Sequence, residues 1–333
     1  MTDADLLLTA PDPEFGSGVI GVCDVCGKRQ AVIVLSKERF QLCVIDFLNK
    51  KWTDGTSSPG APLPPYRSER IWFPTQAVPS GRAPAILLSP TKIVKHPGVL
   101  FTPDAHGLTT AILDGAIRTA RAGFEVLLPD VGGVGLAGPL EYLGMTFGVR
   151  GRGGIDLRSA SVGRLTQLYG DALAFLRSGA MIDPDRSAVF GIANGGALAI
   201  SLAAQDQKLS ALVLAYPAPV RPPEMVSLVG APVLVVAGRR DRSGSRGAHQ
   251  LVKGLPEGQV RWVEAGEARA HFLARDLSGY DLGYAESAWA EMVGFLKGRL
   301  FPPPPKPPAP PVARPAAGPA SPSPAPAAPP ARA

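Results

Sequence analysis

Residues 187–199 constrain the fold more than any other segment, because they read as a buried strand, a tight glycine turn and a helix of small residues. Gly191 and Gly195 flank the turn at the G-x-S-x-G spacing, and Gly196 extends it. That spacing presents a nucleophile at a sharp strand-to-helix corner, where no Cβ is tolerated close to the backbone. The central position, where Ser or Cys would stand, is Ala193. The segment therefore predicts a nucleophile elbow without a nucleophile, although a generic strand–turn–helix junction would also explain the glycines.

Alternating strand and helix patterns surround this turn. Apolar side chains recur at helical spacing within residues 112–120, 165–176 and 289–300, and we interpret these stripes as core faces without a functional role. A βαβα order predicts an α/β fold with a mostly parallel sheet covered by helices on both faces. In such sheets, ligands bind at the carboxyl ends of the strands.

Four segments, taken in their order and spacing, resemble the dienelactone hydrolase family of α/β-hydrolases over residues 80–300. They are a strand with its following loop, a strand that ends in Pro-Asp, the lead into the elbow strand, and a strand that ends in Gly-Arg-Arg-Asp: residues 97–108, 122–130, 182–186 and 232–241. The resemblance implies an α/β-hydrolase fold, and a family that acts on carboxylic esters and lactones.

Carried over by position, the resemblance places the nucleophile at Ala193, the triad acid at Asp241 and the base at His271. Alignment on Phe272 would instead put the base at Ala270, so the histidine is displaced by one residue from the family pattern. The resemblance also implies oxyanion and pocket positions at Asp104, Ala105, His106 and Asn194.

Three interpretations of Ala193 follow. The chain is a natural pseudo-hydrolase that keeps a ligand pocket, or an active enzyme that carries an inactivating substitution, or an enzyme with different chemistry at Asp104, His106, Asp241 or His271. Loss of a triad nucleophile lowers turnover about a millionfold, so ordinary ester hydrolysis should be close to absent. The displaced histidine favours the pseudo-hydrolase, and whether the chain is an enzyme stays open.

The three cysteines all lie near the N-terminus, which favours a metal site over a disulfide framework. Cys23 and Cys26 have the spacing that lets two thiolates reach one ion. Two β-prone runs, 31–35 and 40–42, then lead to Cys43 and Asp46, so the segment resembles a zinc-ribbon or treble-clef module with a structural Cys₃Asp zinc site. The alternative is a relic that folds without metal.

These features divide the chain into five parts. We predict a flexible N-terminus at 1–19, the zinc-ribbon-like module at 20–52, a Gly/Ser/Pro-rich linker at 53–70, the hydrolase-like domain at 71–301 and a disordered Pro/Ala-rich tail at 302–333. The acidic start and the short apolar runs predict neither a secretory signal nor a membrane span, which favours a cytoplasmic location.

The composition leaves several partners open. A small ester, lactone or anionic ligand would bind in the pocket, and Arg239, Arg240 and Arg242 beside Asp241 favour an anion. A net charge of +6 is mild for 333 residues, but the zinc-ribbon-like module is locally basic, so nucleic-acid or protein binding there is a second hypothesis. No cofactor is predicted for the hydrolase-like domain, and no membrane partner is predicted.

Overall fold

A computed structural model describes residues 33–35, 40–42, 66–92, 94–102, 108–129, 155–158, 160–275 and 277–301. In chain order its elements are β1 (Ile33–Leu35), β2 (Phe40–Leu42), β3 (Tyr66–Pro74), β4 (Arg82–Pro90), β5 (His96–Thr102), α1 (Thr110–Arg121), β6 (Glu125–Pro129), β7 (Ile155–Asp156), α2 (Ala160–Ser178), β8 (Ile182–Ile192), α3 (Gly195–Gln205), β9 (Ala211–Ala215), β10 (Val220–Arg221), a 3₁₀ helix (Pro223–Leu228), β11 (Val233–Ala237), α4 (Arg242–Gly254), β12 (Val260–Glu264) and α5 (Leu282–Leu300).

Eight strands form the central sheet in the order β12-β11-β9-β8-β5-β6-β4-β3. All pairs from β12 to β6 are parallel, whereas β6–β4 and β4–β3 are antiparallel. Every residue of β5, β6, β9 and β11 is buried, as expected for parallel strands that are covered on both faces. The predicted α/β fold with a mostly parallel sheet is confirmed.

The helices divide into two layers, one on each face of the sheet. One core cluster contains the apolar faces of α1 and α5, and the other contains those of α2, α3 and α4. Four residues of the predicted last stripe are buried, namely Trp289, Met292, Leu296 and Leu300, and the stripes at 112–120 and 165–176 are buried as well. The interpretation of these stripes as core faces is confirmed.

The sheet extends further toward the N-terminus than the sequence suggested. β3 begins at Tyr66, five residues before the predicted start of the domain at Ile71, and all nine residues of β3 pair with β4. The turn-forming composition ends at Pro65, and Tyr66 is buried, so the strand begins directly after the Pro-rich stretch.

Of the predicted zinc-ribbon-like module, the structure describes the hairpin. β1 and β2 pair antiparallel, with Ile33 opposite Leu42, which agrees with the two predicted β-prone runs. Cys23, Cys26, Cys43 and Asp46 lie outside the described residues. In the described part of the chain, no helix is long and apolar enough to cross a membrane.

Candidate functional site

The elbow turn joins β8 to α3 at the carboxyl end of the parallel strands. Ala193 lies between the end of β8 and the helix N-cap Asn194, and its φ is 49°. Its amide donates to Ala215 O at 2.9 Å, and its carbonyl accepts from the amides of Gly196 (3.0 Å) and Ala218 (3.2 Å). A left-handed conformation costs an L-residue about 1–2 kcal/mol, and these hydrogen bonds hold it in place. The turn thus keeps a strained elbow geometry although its central residue carries only a methyl group.

Two of the elbow glycines are required by close packing. A Cβ on Gly191 would lie 2.8 Å from Ala199 Cβ, and a Cβ on Gly196 would lie 2.8 Å from Pro217 Cβ. Neither contact can form without a shift of the backbone, because neither partner atom is the far end of a flexible side chain. The prediction that this turn excludes side chains on both sides is confirmed at Gly191 and Gly196.

The predicted acid, Asp241, follows β11 and caps the N-terminus of α4. Its Oδ1 accepts hydrogen bonds from the amides of Ser243 (3.0 Å) and Gly244 (2.9 Å), and the residue is 4% exposed. Burial raises the pKa of the Asp241 carboxyl above its ordinary value of 3.8, while the two amides and the nearby His271 offset part of this rise. The Asp241 carboxyl therefore caps the helix and lies near the histidine.

The predicted base, His271, lies on the long loop between β12 and α5 and has a φ of 62°. Its ring meets the ring of Tyr216 edge-on, with centroids 5.8 Å apart and planes at 71°. A Cβ on Gly279 would lie 2.0 Å from the carbonyl oxygen of Ala270. The main chain at Gly279 therefore packs directly against the main chain at Ala270, next to the histidine. His271 lies near the predicted acid, since a positive charge on its ring would lower the pKa of the Asp241 carboxyl.

The acid loop and the histidine loop are bonded to each other directly. The amide of Arg239 donates to Gly266 O at 2.8 Å, and that of Arg240 donates to Ala268 O at 3.2 Å. A Cβ on Gly238 would lie 2.1 Å from Ala268 O, so the two loops touch through their backbones. This contact brings Asp241 and His271 to the same side of the sheet although 29 positions separate them in the sequence.

Surface ion pairs reinforce this contact and involve two of the arginines that suggested an anionic ligand. Arg239 pairs with Glu264 at 2.6 Å and with Glu267 at 2.9 Å, and Arg240 pairs with Glu267 at 2.9 Å. All four side chains are well exposed, so solvent screens these ion pairs and they contribute little to stability. Because their charges are matched by carboxylates, Arg239 and Arg240 add little to the case for an anionic ligand.

Tyr216 is a member of this site that the sequence reasoning missed. In the described residues, only Ala193, Tyr216 and His271 have a positive φ without being glycine, and the φ of Tyr216 is 38°. Ala193 and Tyr216 directly follow β8 and β9, and His271 lies on the loop that follows β12. Strained residues of this kind concentrate at functional sites. One signal was available in the sequence: Tyr216 is an aromatic residue directly after the apolar run Ala211–Ala215, at the end of a strand that neighbours β8.

Several predicted residues lie outside this description. Asp104, Ala105 and His106, the proposed oxyanion and pocket residues, fall within 103–107, which the structure does not describe. Asn194 is described, and its side chain makes no capping hydrogen bond to α3. Within the described ranges, no group of three or more His, Cys, Asp or Glu side chains could hold a metal ion. The four proposed zinc ligands are not among those residues, so the zinc site and a nucleic-acid or protein partner for it stay predictions.

Known proteins agree with this architecture. A model of the dienelactone hydrolase family matches residues 83–300. No curated protein matches the chain. Similar solved structures include a putative dienelactone hydrolase from Klebsiella pneumoniae subsp. pneumoniae, which is 19% identical with a TM-score of 0.58 and matches over 69% of this chain and 98% of that one.

Two further solved structures are similar over nearly their whole length. A dienelactone hydrolase-like promiscuous phosphotriesterase from metagenomic libraries is 20% identical, with a TM-score of 0.56 over 70% of this chain and 98% of its own. A dienelactone hydrolase from Anabaena variabilis is 19% identical, with a TM-score of 0.53 over 71% of this chain and 99% of its own. At these identities the likeness establishes the α/β-hydrolase fold.

Proposed function

Because the chain belongs to the dienelactone hydrolase family, we propose that it is a hydrolase-like ligand-binding protein whose pocket is retained and whose nucleophile position is filled by Ala193. A methyl group cannot attack a carbonyl or a phosphorus centre. The loss of a triad nucleophile lowers turnover about a millionfold, which leaves binding as the main activity of such a pocket.

The observation that carries this proposal is the φ of 49° at Ala193. An alanine at the turn gains nothing chemically from a left-handed backbone, which is there to present a reactive side chain. The conformation persists because the Ala215, Gly196 and Ala218 main chains are bonded to this residue. Asp241 and His271 also lie on loops that follow the carboxyl ends of β11 and β12. The proposal is therefore that the surroundings of a nucleophile are kept although the nucleophile itself is absent.

The class of ligand is proposed from membership of the family alone. Members of this family bind carboxylic esters and lactones, so we expect a small molecule that carries an ester-like or lactone-like carbonyl. The uncapped N-terminus of α3 has no acidic residue in its first turn, which suits a partly negative oxygen at that place.

A second candidate is a hydrolase with altered chemistry. His271 lies near the buried carboxyl of Asp241, and a neutral imidazole supported by a carboxylate can take a proton from a water molecule that attacks the substrate directly, without a protein nucleophile. The unmodified protein would then turn over its substrate slowly. This candidate and the binding protein differ in one measurable property, which is the activity of the natural chain.

The test compares the natural protein with Ala193→Ser, Ala193→Cys and Ala193→Gly on aryl esters, lactones and an aryl phosphotriester, the last because one structural neighbour is described as a phosphotriesterase. We expect the natural protein and Ala193→Gly to be inert, and Ala193→Ser or Ala193→Cys to gain about 10³-fold or more in kcat/KM over them. The gain should disappear when His271→Gln is added.

Two results would contradict the proposal. Turnover by the natural protein that His271→Gln removes would establish the hydrolase instead. If none of the four proteins is active, and the natural protein binds no ester or lactone analogue by calorimetry, the pocket has not been retained. Thermal unfolding of every variant checks that an inert protein is folded.

A further inference from the structure

The main chain at Tyr216 is bonded to two other strand ends of the site. The amide of Tyr216 donates to Val236 O at 2.6 Å, near the end of β11, and the preceding carbonyl, Ala215 O, accepts from the amide of Ala193 at 2.9 Å. These bonds join the residue that follows β8 to the end of β9, and the residue that follows β9 to β11. They fix the backbone of Tyr216 in a left-handed conformation that residues other than glycine rarely adopt.

The side chain of Tyr216 packs directly on the histidine loop. Its ring lies edge-on to His271 with centroids 5.8 Å apart, and tilted against Phe272 with centroids 5.5 Å apart. Tyr216 is 3% exposed and Phe272 is 0% exposed, so both rings are held by the core. A tyrosine side chain has few rotatable bonds, so a buried tyrosine ring restricts the movement of the imidazole that packs against it.

The acid and Tyr216 both lie against Gly244. A Cβ on Gly244 would lie 2.6 Å from Asp241 Oδ2 and 2.8 Å from Tyr216 Cβ. The amide of Gly244 also donates to Asp241 Oδ1 at 2.9 Å. Tyr216 is therefore in contact with His271 and close to Asp241.

A purely structural role does not account for the strain. Other buried aromatics, such as Phe190 and Trp289, fill the same core cluster with an ordinary backbone conformation. A strained conformation persists only where its surroundings determine it, and it aims a side chain in a direction that a relaxed backbone does not reach. At Tyr216 that direction is toward His271.

We propose that Tyr216 is a positioning residue, whose left-handed backbone aims its ring at His271 and so fixes the imidazole beside Asp241 at the ligand site. The proposal rests on the proposed function only in taking His271 as a polar group of that site. It deepens that function, because it states what keeps the pair in place after the nucleophile is lost.

The first arm of the test needs no catalysis. The chain has four histidines, so their ring signals can be resolved by NMR, and His271 is assigned by the signal that His271→Gln removes. We expect Tyr216→Leu to shift the His271 signals more than those of any other histidine, and Tyr216→Phe, which keeps the ring, to leave them near their original positions. Phe124→Leu is the matched control, because it removes another buried ring at the far end of the sheet.

The second arm measures kinetics in the Ala193→Ser background. A base displaced by about 1 Å costs on the order of 100-fold, so Tyr216→Leu should lower kcat by about 10- to 100-fold with KM changed less than about threefold. Phe124→Leu should leave both constants close to those of Ala193→Ser alone. The limb of the pH profile that reports the base should move in Tyr216→Leu and stay in place in Phe124→Leu.

The outcomes separate this proposal from the proposed function. If Ala193→Ser is inert, the retained pocket is in doubt, and the NMR arm still decides the role of Tyr216. If Tyr216→Leu folds and the His271 signals are unchanged, the positioning role is wrong. If Tyr216→Leu does not fold, Tyr216→Met, which has a similar length and no ring, replaces it with the same expected and contradicting results.

Discussion

Beyond the carboxyl ends of the parallel strands, Ala193, Tyr216 and His271 have left-handed backbones, whereas at the amino ends the buried polar residues Ser89 and Glu125 keep ordinary backbones. The two ends belong to one sheet, and both contain buried side chains. One of them stores conformational strain and the other does not. Strain in this protein therefore marks the place where side chains must be aimed, rather than the place where the core is crowded.

The amino end shows how buried polar groups are arranged when no reactive geometry is involved. Ser89 Oγ donates to Glu125 Oε1 at 2.7 Å, and both ring nitrogens of His96 lie 2.9 Å from main-chain oxygens, those of Gly123 and Lys92. Burial raises the pKa of Glu125 above its ordinary value of 4.5, with the Ser89 hydrogen bond and the charge of His96 opposing the rise. Hydrogen bonds satisfy most of this cluster without strain.

The largest expected effect tests whether the residues at the carboxyl ends of the strands form a functional site or only part of the packed core. In the Ala193→Ser background, Asp241→Asn should lower kcat about 10⁴-fold, because the amide no longer holds the histidine in the required tautomer. Stability should change little, since the Asn oxygen still accepts from the amides of Ser243 and Gly244. Steady-state kinetics and thermal unfolding measure the two effects.

Asp241→Ala is the matched control for that change. It should lose the activity and also about 1 kcal/mol of stability, because the helix cap is removed. Equal loss of stability in Asp241→Asn and Asp241→Ala would mean that the charge, and not the cap, supports the fold.

The next effect concerns the contact between the two loops. Gly238→Ala places a Cβ 2.1 Å from Ala268 O and should lower the free energy of unfolding by about 2–3 kcal/mol while displacing His271. Gly294→Ala in α5, where an added Cβ meets nothing within 4 Å, should instead raise it by about 0.5–1 kcal/mol. Denaturant unfolding compares the two, and similar values would show that the backbone contact is not tight in solution.

A smaller effect tests the amino end through its pH dependence. Because the folded-state pKa of Glu125 is raised, its contribution to stability is greatest below about pH 4.5 and is lost as the pH rises through the folded-state value. Glu125→Gln should remove this loss and be about 1 kcal/mol more stable than the natural protein at pH 7, with the difference shrinking toward pH 4. The measurement is the free energy of unfolding from pH 4 to pH 8.

Glu257→Gln controls for a general change of charge. Glu257 is exposed in the loop between α4 and β12, and it is not among the charges that act on Glu125. This substitution should change stability by less than about 0.5 kcal/mol at every pH. Parallel curves for Glu125→Gln and the natural protein would contradict the assigned role of burial.

The smallest effect isolates the strain at the elbow. Ala193→Gly removes a positive-φ penalty of about 1–2 kcal/mol and adds about 0.5–1 kcal/mol of chain entropy, so a net stabilisation of about 0.5–1 kcal/mol is expected. Ala197→Gly, within the helix α3, should destabilise by about 1 kcal/mol or more. Calorimetric unfolding that gives both changes the same sign would mean that Ala193 is not strained.

The sequence predicted the elements that depend on local patterns. The Gly191-x-Ala193-x-Gly195 spacing predicted the elbow, and apolar periodicity predicted the buried faces of the helices and the parallel strands. It did not predict that β3 begins at Tyr66, because residues 66–70 pair with residues of β4 that lie 16 to 24 positions away in the sequence. It also did not identify Tyr216, whose φ depends on hydrogen bonds to β11 and on packing against the histidine loop.

The sequence alone determined that this chain has an elbow with no nucleophile, since no arrangement of the backbone can turn the methyl group of Ala193 into a reactive group. Only the tertiary structure gave the surroundings of His271, which lies near Asp241 and packs edge-on against Tyr216. A family pattern aligned on Phe272 assumes one loop conformation, whereas the φ of 62° at His271 and the contacts of its loop with Gly238 and Tyr216 set the actual one. Side-chain chemistry is fixed residue by residue, but the direction of a side chain on a loop is fixed by distant main chain that packs against it.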